Sequence, residues 1–482
     1  MTIRRPTLAA VVLFLAVMFS NAVSAAGKPN IVLVMADDQG WGDMAYNGHP
    51  LLKTPNFDKA AATGLRFDRF YAAAPVCSPT RASVLTGRHP NRSGVFKWGY
   101  PLRPQESTLA EVLKTVGYST AHFGKWHLGS VRRASPAHPG RNGFDHWLSA
   151  PNFFDNNAVL SLKGKAVKTS GESSMVTVDA ALEWIGRESK RDTPFLAVVW
   201  FGSPHSPHRA ASRDRKPYAG QPLKNQHFLG EVTGMDRAFG KLRDAREPLG
   251  IRDNTILWYC SDNGALPRVG SAGPFRGRKG KIYEGGLLVP AILEWPARIK
   301  SPRKTSVRCN TCDIYPTLLE ITGATAKHQP EVDGVSLVGL IDGKTSKRTR
   351  PMGFWDYPVR GISTPSAKWM GDLLAAQRNG DDLPPHVSSQ KAAELPSPRH
   401  RLDRFPGHSA WIDGHWKLHR IDGKNGKVRF ELYNLESDPS EKTNVAAGHP
   451  ERTGQLKLGL NAWLKSVVGS YNGDDYAGAS PR

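Results

Sequence analysis

The chain has 482 residues, 39% hydrophobic and 22% charged, with a formal net charge of +22. That apolar content suits one large domain plus a smaller one and excludes disorder as the organising state. Four cysteines, Cys77, Cys260, Cys309 and Cys312, are too few and too unevenly placed for a disulfide-stapled scaffold of this length.

The chain opens with Arg4 and Arg5, an uncharged apolar run over 8–19, and small residues at Val23-Ser24-Ala25-Ala26. This is the layout of a secretory signal peptide over residues 1–26, because a run of 12 residues falls short of the ~20 that cross a bilayer. No other segment is long and apolar, and no cysteine sits by the cleavage site for a lipid. The mature chain is therefore expected to be secreted or periplasmic, without stable membrane insertion. Removal of Arg4 and Arg5 leaves a charge of +20, which favours polyanionic partners. The basic residues are spread along the chain with no nucleic-acid-binding motif, so sulfated polysaccharide is the better partner than nucleic acid. A generally basic, solvated surface gives the same composition.

Three apolar runs, 31–35, 195–201 and 256–260, read as buried parallel strands. Amphipathic helices lie between them. One starts with the capping box Thr108-Leu109-Ala110-Glu111 and carries Leu109, Val112, Leu113 and Val116 on one face; another groups Val178, Leu182 and Ile185. The alternation predicts an α/β fold, a large mostly parallel sheet sandwiched by helices. From 358 to 408 the chain has little periodicity and reads as a boundary or as loops over the active site. Order returns at Trp411: residues 416–419 and 430–433 alternate like antiparallel strands, and Leu456, Leu460, Trp463, Leu464 and Val467 share a helical stripe. These predict a smaller C-terminal α+β domain, giving a catalytic domain over 27–345 and a subdomain over 346–482 whose loops contribute to the substrate pocket. Cys309 and Cys312 form a lone C-x-x-C, a local disulfide or a pair of free thiols, and zinc is disfavoured for want of a second ligand pair.

In open α/β sheets ligands sit beyond the carboxyl ends of the strands. The first strand runs out into Asp37-Asp38 and the strand ending at Cys260 into Asp262-Asn263-Gly264. Three carboxylates and an amide then converge, an oxygen-only set that suits a hard cation, calcium better than magnesium. A strand or strand end over 119–123 leads into Lys125-Trp126-His127, and the 195–201 strand into His205-Ser206-Pro207-His208. His122 reads as a core residue; His49, His89 and His138 lie in loops beside prolines and gain no role. In Cys77-Ser78-Pro79-Thr80-Arg81, Ser78 and Pro79 read as N-cap and first helical residue, so Cys77 lies at a helix N-terminus with Arg81 reaching back over it. Taken alone, this is an activated thiolate or a free cysteine with incidental neighbours.

C-S-P-T-R followed by Leu85-Thr86-Gly87-Arg88 resembles the signature of the formylglycine-dependent sulfatases, of the alkaline phosphatase-like superfamily. Further motifs in the family's order are Asp37-Asp38, Gly124-Lys125-Trp126-His127, His205-x-Pro207, Ser261-Asp262-Asn263-Gly264, and 280–286 around Glu284. A C-terminal match at 431–435, with Asp438-Pro439 and Glu441, extends the resemblance over nearly the whole mature chain.

The resemblance implies that a formylglycine-generating enzyme oxidises Cys77 to formylglycine, whose hydrate attacks sulfur. Ca²⁺ would be held by Asp37, Asp38, Asp262 and Asn263, with the modified Cys77 beside it. Lys125 and Lys279 would hold the sulfate, and His205 would protonate the departing alcohol. Asp262 is a candidate for taking the proton of the attacking hydroxyl. His127 would deprotonate the second hydroxyl to expel sulfate, and Arg81 would hold the hydrated aldehyde. Lys279 is chosen among Arg276, Arg278, Lys279 and Lys281 because it precedes Gly280 and lies five residues before Glu284; Arg278 replaces the first glycine of the family's G-K-G-x-x-x-E-G-G pattern. The expected substrate is a sulfated carbohydrate, with His208, Arg209 and the loops over 357–408 facing the leaving group. Two competing readings remain: a phosphate or phosphonate ester hydrolase on a related fold, and a non-catalytic binder of sulfated glycans.

Overall fold

The computed structural model describes residues 27–386, 391–423 and 426–476; the expected leader lies outside them. Eleven strands make the large sheet: β1 (Asn30–Ala36), β2 (Leu65–Tyr71), β3 (Ser119–Lys125), β4 (His146–Ala150), β5 (Val159–Leu162), β6 (Lys165–Lys168), β7 (Phe195–Trp200), β8 (Thr255–Ser261), β9 (Leu288–Glu294), β10 (Arg303–Thr305) and β11 (Cys309–Asn310). Their order is β10-β2-β9-β8-β1-β7-β3-β4-β5-β6, with β11 also paired to β2. The centre, β8-β1-β7-β3-β4, is parallel throughout, while β9, β5 and β6 pair antiparallel with their neighbours.

The three continuous apolar runs form β1, β7 and β8 side by side. They are apolar on both faces because both faces are covered. Ile31, Leu33, Met35, Leu196, Val198, Ile256 and Trp258 enter a core shared with the helices Cys77–Thr86, Leu109–Lys114 and Ile314–Thr322. The alternate residues, Val32, Val34, Ala197, Val199, Leu257 and Tyr259, meet the helices Pro55–Thr63, Ser173–Glu188 and Leu223–Asp244 on the other side. Each fully buried Ile, Leu or Val contributes about 1.5–3 kcal/mol, so these strands hold the register of the sheet edge that carries the polar residues below.

A second, antiparallel sheet follows: β12 (Met352–Asp356), β13 (His408–Asp413), β14 (Trp416–Asp422) and β15 (Val428–Asn434). One face packs on the helix Pro450–Tyr471 through Leu456, Leu460, Trp463, Leu464 and Val467. The other joins Tyr71, Phe275, Ile282 and Leu288 of the first part through Met352, Phe354, Ala410 and Ile412.

Two local differences from the sequence reading have physical causes. The helix at the signature begins at Cys77 itself after Val76; Ser78 does not cap it, because its hydroxyl accepts from Gly99 N at 2.9 Å. The stretch 358–408 contains a helix, Ser366–Arg378, whose buried side is only Ser366, Met370 and Leu373, too narrow a stripe to read as periodic. Cys309 and Cys312 are both free, buried thiols. The Thr108–Glu111 capping box forms as read. Among the described residues no helix is long and apolar enough to cross a membrane.

Candidate active site

The pairing of β1 with β8 runs to Ala36 opposite Ser261, so the next residues of both strands leave the sheet together. Asp38 N donates to Asp262 Oδ1 at 3.0 Å, and Asp262 N to Ala36 O at 3.1 Å. Asn263 Nδ2 donates to Asp38 Oδ1 at 2.8 Å. Lys125 ends β3, next to β7, and is delivered by Gly124. At φ 94°, a Cβ on Gly124 would stand 1.9 Å from Trp200 O, so only glycine permits this close pairing. The helix Cys77–Thr86 brings its first residue to the same edge, and a loop pinned by the bonds Gly280 N to Pro75 O and Lys279 N to Ala265 O brings Lys279.

Ligand atoms of Asp37, Asp38, Cys77 and Asp262 all lie within 4.8 Å of one another, and all four residues are buried. Lys125 Nζ meets Asp37 Oδ2 at 2.5 Å; Lys279 Nζ meets Asp38 Oδ2 at 2.6 Å and Cys77 Sγ at 3.7 Å. Arg81, fully buried, spends its guanidinium on Asp262 Oδ2 at 2.7 Å and Lys125 O at 3.2 Å, beneath the carboxylates and over the Trp200 ring. His205 Nε2 stands 3.6 Å from Asp38 Oδ2, its ring stacked on Phe153. Among the described residues His127 hydrogen-bonds none of these: its Nε2 meets Thr364 Oγ1 at 3.3 Å, and its buried Nδ1 has no partner there. The catalytic and metal-ligating residues expected from the sequence thus share one edge, with His127 at its margin. His208 pairs instead with Glu231 at 3.1 Å.

The electrostatics follow from burial against neighbouring charge. Burial acts to raise the Asp38 carboxyl, but Lys279, His205 and Lys125 outweigh it and hold it well below the usual range. Burial and the neighbouring Asp37 push Asp262 up to about 6, against the pull of Arg81. Burial pushes the Cys77 thiol far up, and Lys125 and Lys279 only partly offset this. A thiol raised in this way counts against a thiolate nucleophile at the encoded cysteine. Burial pushes His127 well below the ordinary imidazole value, reinforced by Lys125 and Arg81. His205 is lowered to about 3 by burial, with Lys125 and Lys279 adding to the shift and Asp38 opposing it.

Two buried oxygens, Asp37 Oδ1 and Asn263 Oδ1, have no hydrogen-bond partner among the described residues. Orphaned acceptors beside three carboxylates fit an oxygen-bound divalent cation, since each such acceptor otherwise costs about 1–3 kcal/mol. The sequence reading did not include Phe153, and it held Thr364 only within the loops over 357–408, without a role of its own. Thr364 lies in an aperiodic stretch and meets His127 only through the fold, so no local pattern signals it.

A family model described as Sulfatase matches residues 29–324. N-acetylgalactosamine-6-sulfatase of Canis lupus familiaris is 32% identical over 367 residues, 68% of this chain and 69% of the relative. Arylsulfatase G of Rattus norvegicus is 31% identical over 489 residues, 88% and 84% respectively. The crystal structure of Ps i-CgsB in complex with k-i-k-neocarrahexaose superposes with a TM-score of 0.76 at 23% identity, covering 91% of this chain and 93% of that one. With the family model spanning more than half the chain and the curated relatives matched over two thirds or more, the protein belongs to the sulfatase family and is a sulfatase enzyme.

Proposed function

We propose that the protein releases inorganic sulfate from a sulfated carbohydrate, with Cys77 in its formylglycine form and a calcium ion held by Asp37, Asp38, Asp262 and Asn263. The observation that carries this is the joining, at one buried edge, of Cys77, three carboxylates, the Asn263 amide and two lysines, with Asp37 Oδ1 and Asn263 Oδ1 lacking hydrogen-bond partners among the described residues. The name of the N-acetylgalactosamine-6-sulfatase relative supports a sugar substrate. Formylglycine would supply, as its hydrate, one hydroxyl for attack on sulfur and a second for restoring the aldehyde, and calcium would supply fixed positive charge against the sulfate oxygens.

The chain's own residues do the rest. Lys125 and Lys279, already at the mouth of the carboxylate cluster, turn their ammonium groups to the sulfate oxygens and hold them in line. Arg81 braces the floor by fixing Asp262 and the Lys125 carbonyl, and so orients the Cys77 side chain from below. Asp262, whose carboxylate stands in the same buried cluster as Cys77, takes the proton of the attacking hydroxyl. His205 gives a proton to the departing sugar oxygen. The negative charge of a bound sulfate ester offsets the lysines, which add to the effect of burial in lowering this imidazole. His127, neutral and bonded through Nε2 to Thr364, offers Nδ1 as the acceptor for the second hydroxyl's proton. The expected export through residues 1–26 belongs to the same proposal.

The test is co-expression with a formylglycine-generating enzyme, then mass measurement of the tryptic peptide containing Cys77 beside sulfate release from a panel of sulfated sugars and their phosphate analogues. Expected are cysteine-to-aldehyde conversion, sulfate release, slower phosphate release, and no turnover in Cys77→Ala. A thiol retained at Cys77 without release would defeat the proposal, and faster phosphate release would move it to the phosphoryl-transfer reading.

A further inference from the structure

Between the β2-β11 side of the large sheet and the second sheet lies a cavity of about 630 Å³, lined by none of the residues described above for catalysis. Five cationic side chains wall it: Arg69 of β2, Arg308 just before β11, and Lys347, Arg348 and Arg350 on the segment leading to β12. Only Arg348 is neutralised, by Asp313 at 2.5 and 2.9 Å. The other four have no carboxylate within ion-pair distance among the described residues. Arg69 lies over the Phe275 ring; Arg308 donates to Gly414 O at 3.1 Å, and its buried Nε has no hydrogen-bond partner. Two carboxylates, Asp413 and Glu436, stand at the rim, and Glu436 faces His415 at 3.8 Å.

Four cations without an ion-pair partner, against two rim carboxylates, repel each other and leave a net positive field that an anion relieves. Guanidinium forks match the planar oxygen pairs of a sulfate group. The volume falls within the roughly 300–1,000 Å³ of ligand sites, well beyond one inorganic anion. Buried Met352 and Ile412 give it an apolar floor, and the rim carboxylates can accept from sugar hydroxyls.

We infer that this cavity is a second, non-catalytic site for a sulfated sugar unit of a polysaccharide chain. The inference rests on the sulfated-carbohydrate reading above, and its role is to hold the polymer while another unit reacts, raising the effective substrate concentration. The test uses the whole enzyme carrying Lys347→Glu and Arg350→Glu, both exposed residues, beside a control carrying Lys190→Glu and Lys224→Glu, which has the same charge change on exposed positions outside the cavity. Affinity for a fluorescein-labelled heparin hexasaccharide is expected to fall about tenfold or more in the cavity variant, roughly 1.4 kcal/mol, and to stay unchanged in the control. Arg308→Gln, which keeps a donor for Gly414 O, is expected to weaken it as well. Turnover of nitrophenyl sulfate is expected to be unchanged in the cavity variant, while kcat/KM on sulfated polymer falls. Equal weakening in cavity and control variants, or parallel loss of single-stranded DNA binding, would overturn the inference in favour of diffuse charge. Binding is read without turnover, so absence of sulfatase activity in the parent would sink the catalytic reading and leave this comparison decisive.

Discussion

Asp38 and His127 are held at φ 71° and 54°, in the left-handed region that side chains other than glycine enter at a cost of about 1–3 kcal/mol. The surrounding bonds fix them there, and in Asp38 this aims the carboxylate at Lys279 and Asn263. The two orphaned oxygens give this arrangement a thermodynamic consequence. A cation that binds only the folded chain stabilises it by about 2.7 kcal/mol at a hundred times its Kd. Calcium is therefore expected to raise the melting temperature of EDTA-treated enzyme, and Asn263→Leu, which removes one orphaned oxygen, to shrink that rise severalfold. Identical melting with CaCl₂ and with EDTA would remove the cation from the mechanism. Thr364→Val tests a residue one step out: it leaves His127 Nε2 unpaired, and kcat is expected to fall about tenfold with little change in KM. A fall confined to KM would instead place Thr364 in substrate binding.

At the scale of elements, the loop that delivers Lys279 depends on the second sheet. Lys417 of β14 is fully buried and reaches Glu284 at 2.8 Å and Glu441 at 3.0 Å; Glu441 also bonds His419 at 2.7 Å and accepts from Glu284 N at 2.6 Å. Lys417→Met leaves both glutamates buried without their cation and is expected to cost about 3–5 kcal/mol in denaturant unfolding. A cost near zero would show that the glutamates are neutral in the fold. The sequence shows why some elements were legible and others not. Asp37-Asp38 and Asp262-Asn263 each follow a strand so apolar that its end, and hence the ligand edge, can be read directly. The Lys417 network joins residues 133 apart in sequence, which no local pattern signals. β12 and β13 pair across an insertion that contains the narrow-striped helix Ser366–Arg378, so hairpin spacing could not reveal them. Lys279 was separable from three neighbouring cations only by its spacing to Glu284. In the fold, Arg278 turns away to the carbonyls of Leu266 and Gly270, while Lys279 meets Asp38.

For the whole molecule, buried titratable groups away from the catalytic edge set the pH response. Burial lowers His89 to about 3, His138 to about 4 and His408 to about 2, and pushes His122 and His419 well below the ordinary value. These five imidazoles stay neutral in the folded chain but take protons in the unfolded chain below about pH 6.5. Between about pH 6.5 and 4 they therefore make stability fall as pH falls. Four buried carboxyls act with the opposite sign: burial raises Asp43 to about 7 and Asp236 to about 6 and also lifts Glu231 and Glu441, so the folded chain holds protons there that the unfolded chain releases until about pH 4. The histidines outnumber them, so the unfolded state binds more protons across the window, and each net proton costs about 1.4 kcal/mol per pH unit. Below about pH 4 Asp333 adds to the loss: burial acts to raise its carboxyl, but Arg92, at 2.8 and 3.1 Å, holds it far below the usual value. The melting temperature is thus expected to drop steadily from pH 6.5 to pH 5, and His89→Gln is expected to flatten that drop by about one proton's worth. A melting temperature that holds or rises over this range would mean the folded chain takes up protons at these rings, and that the packing around His89 and His122 opens to admit charge.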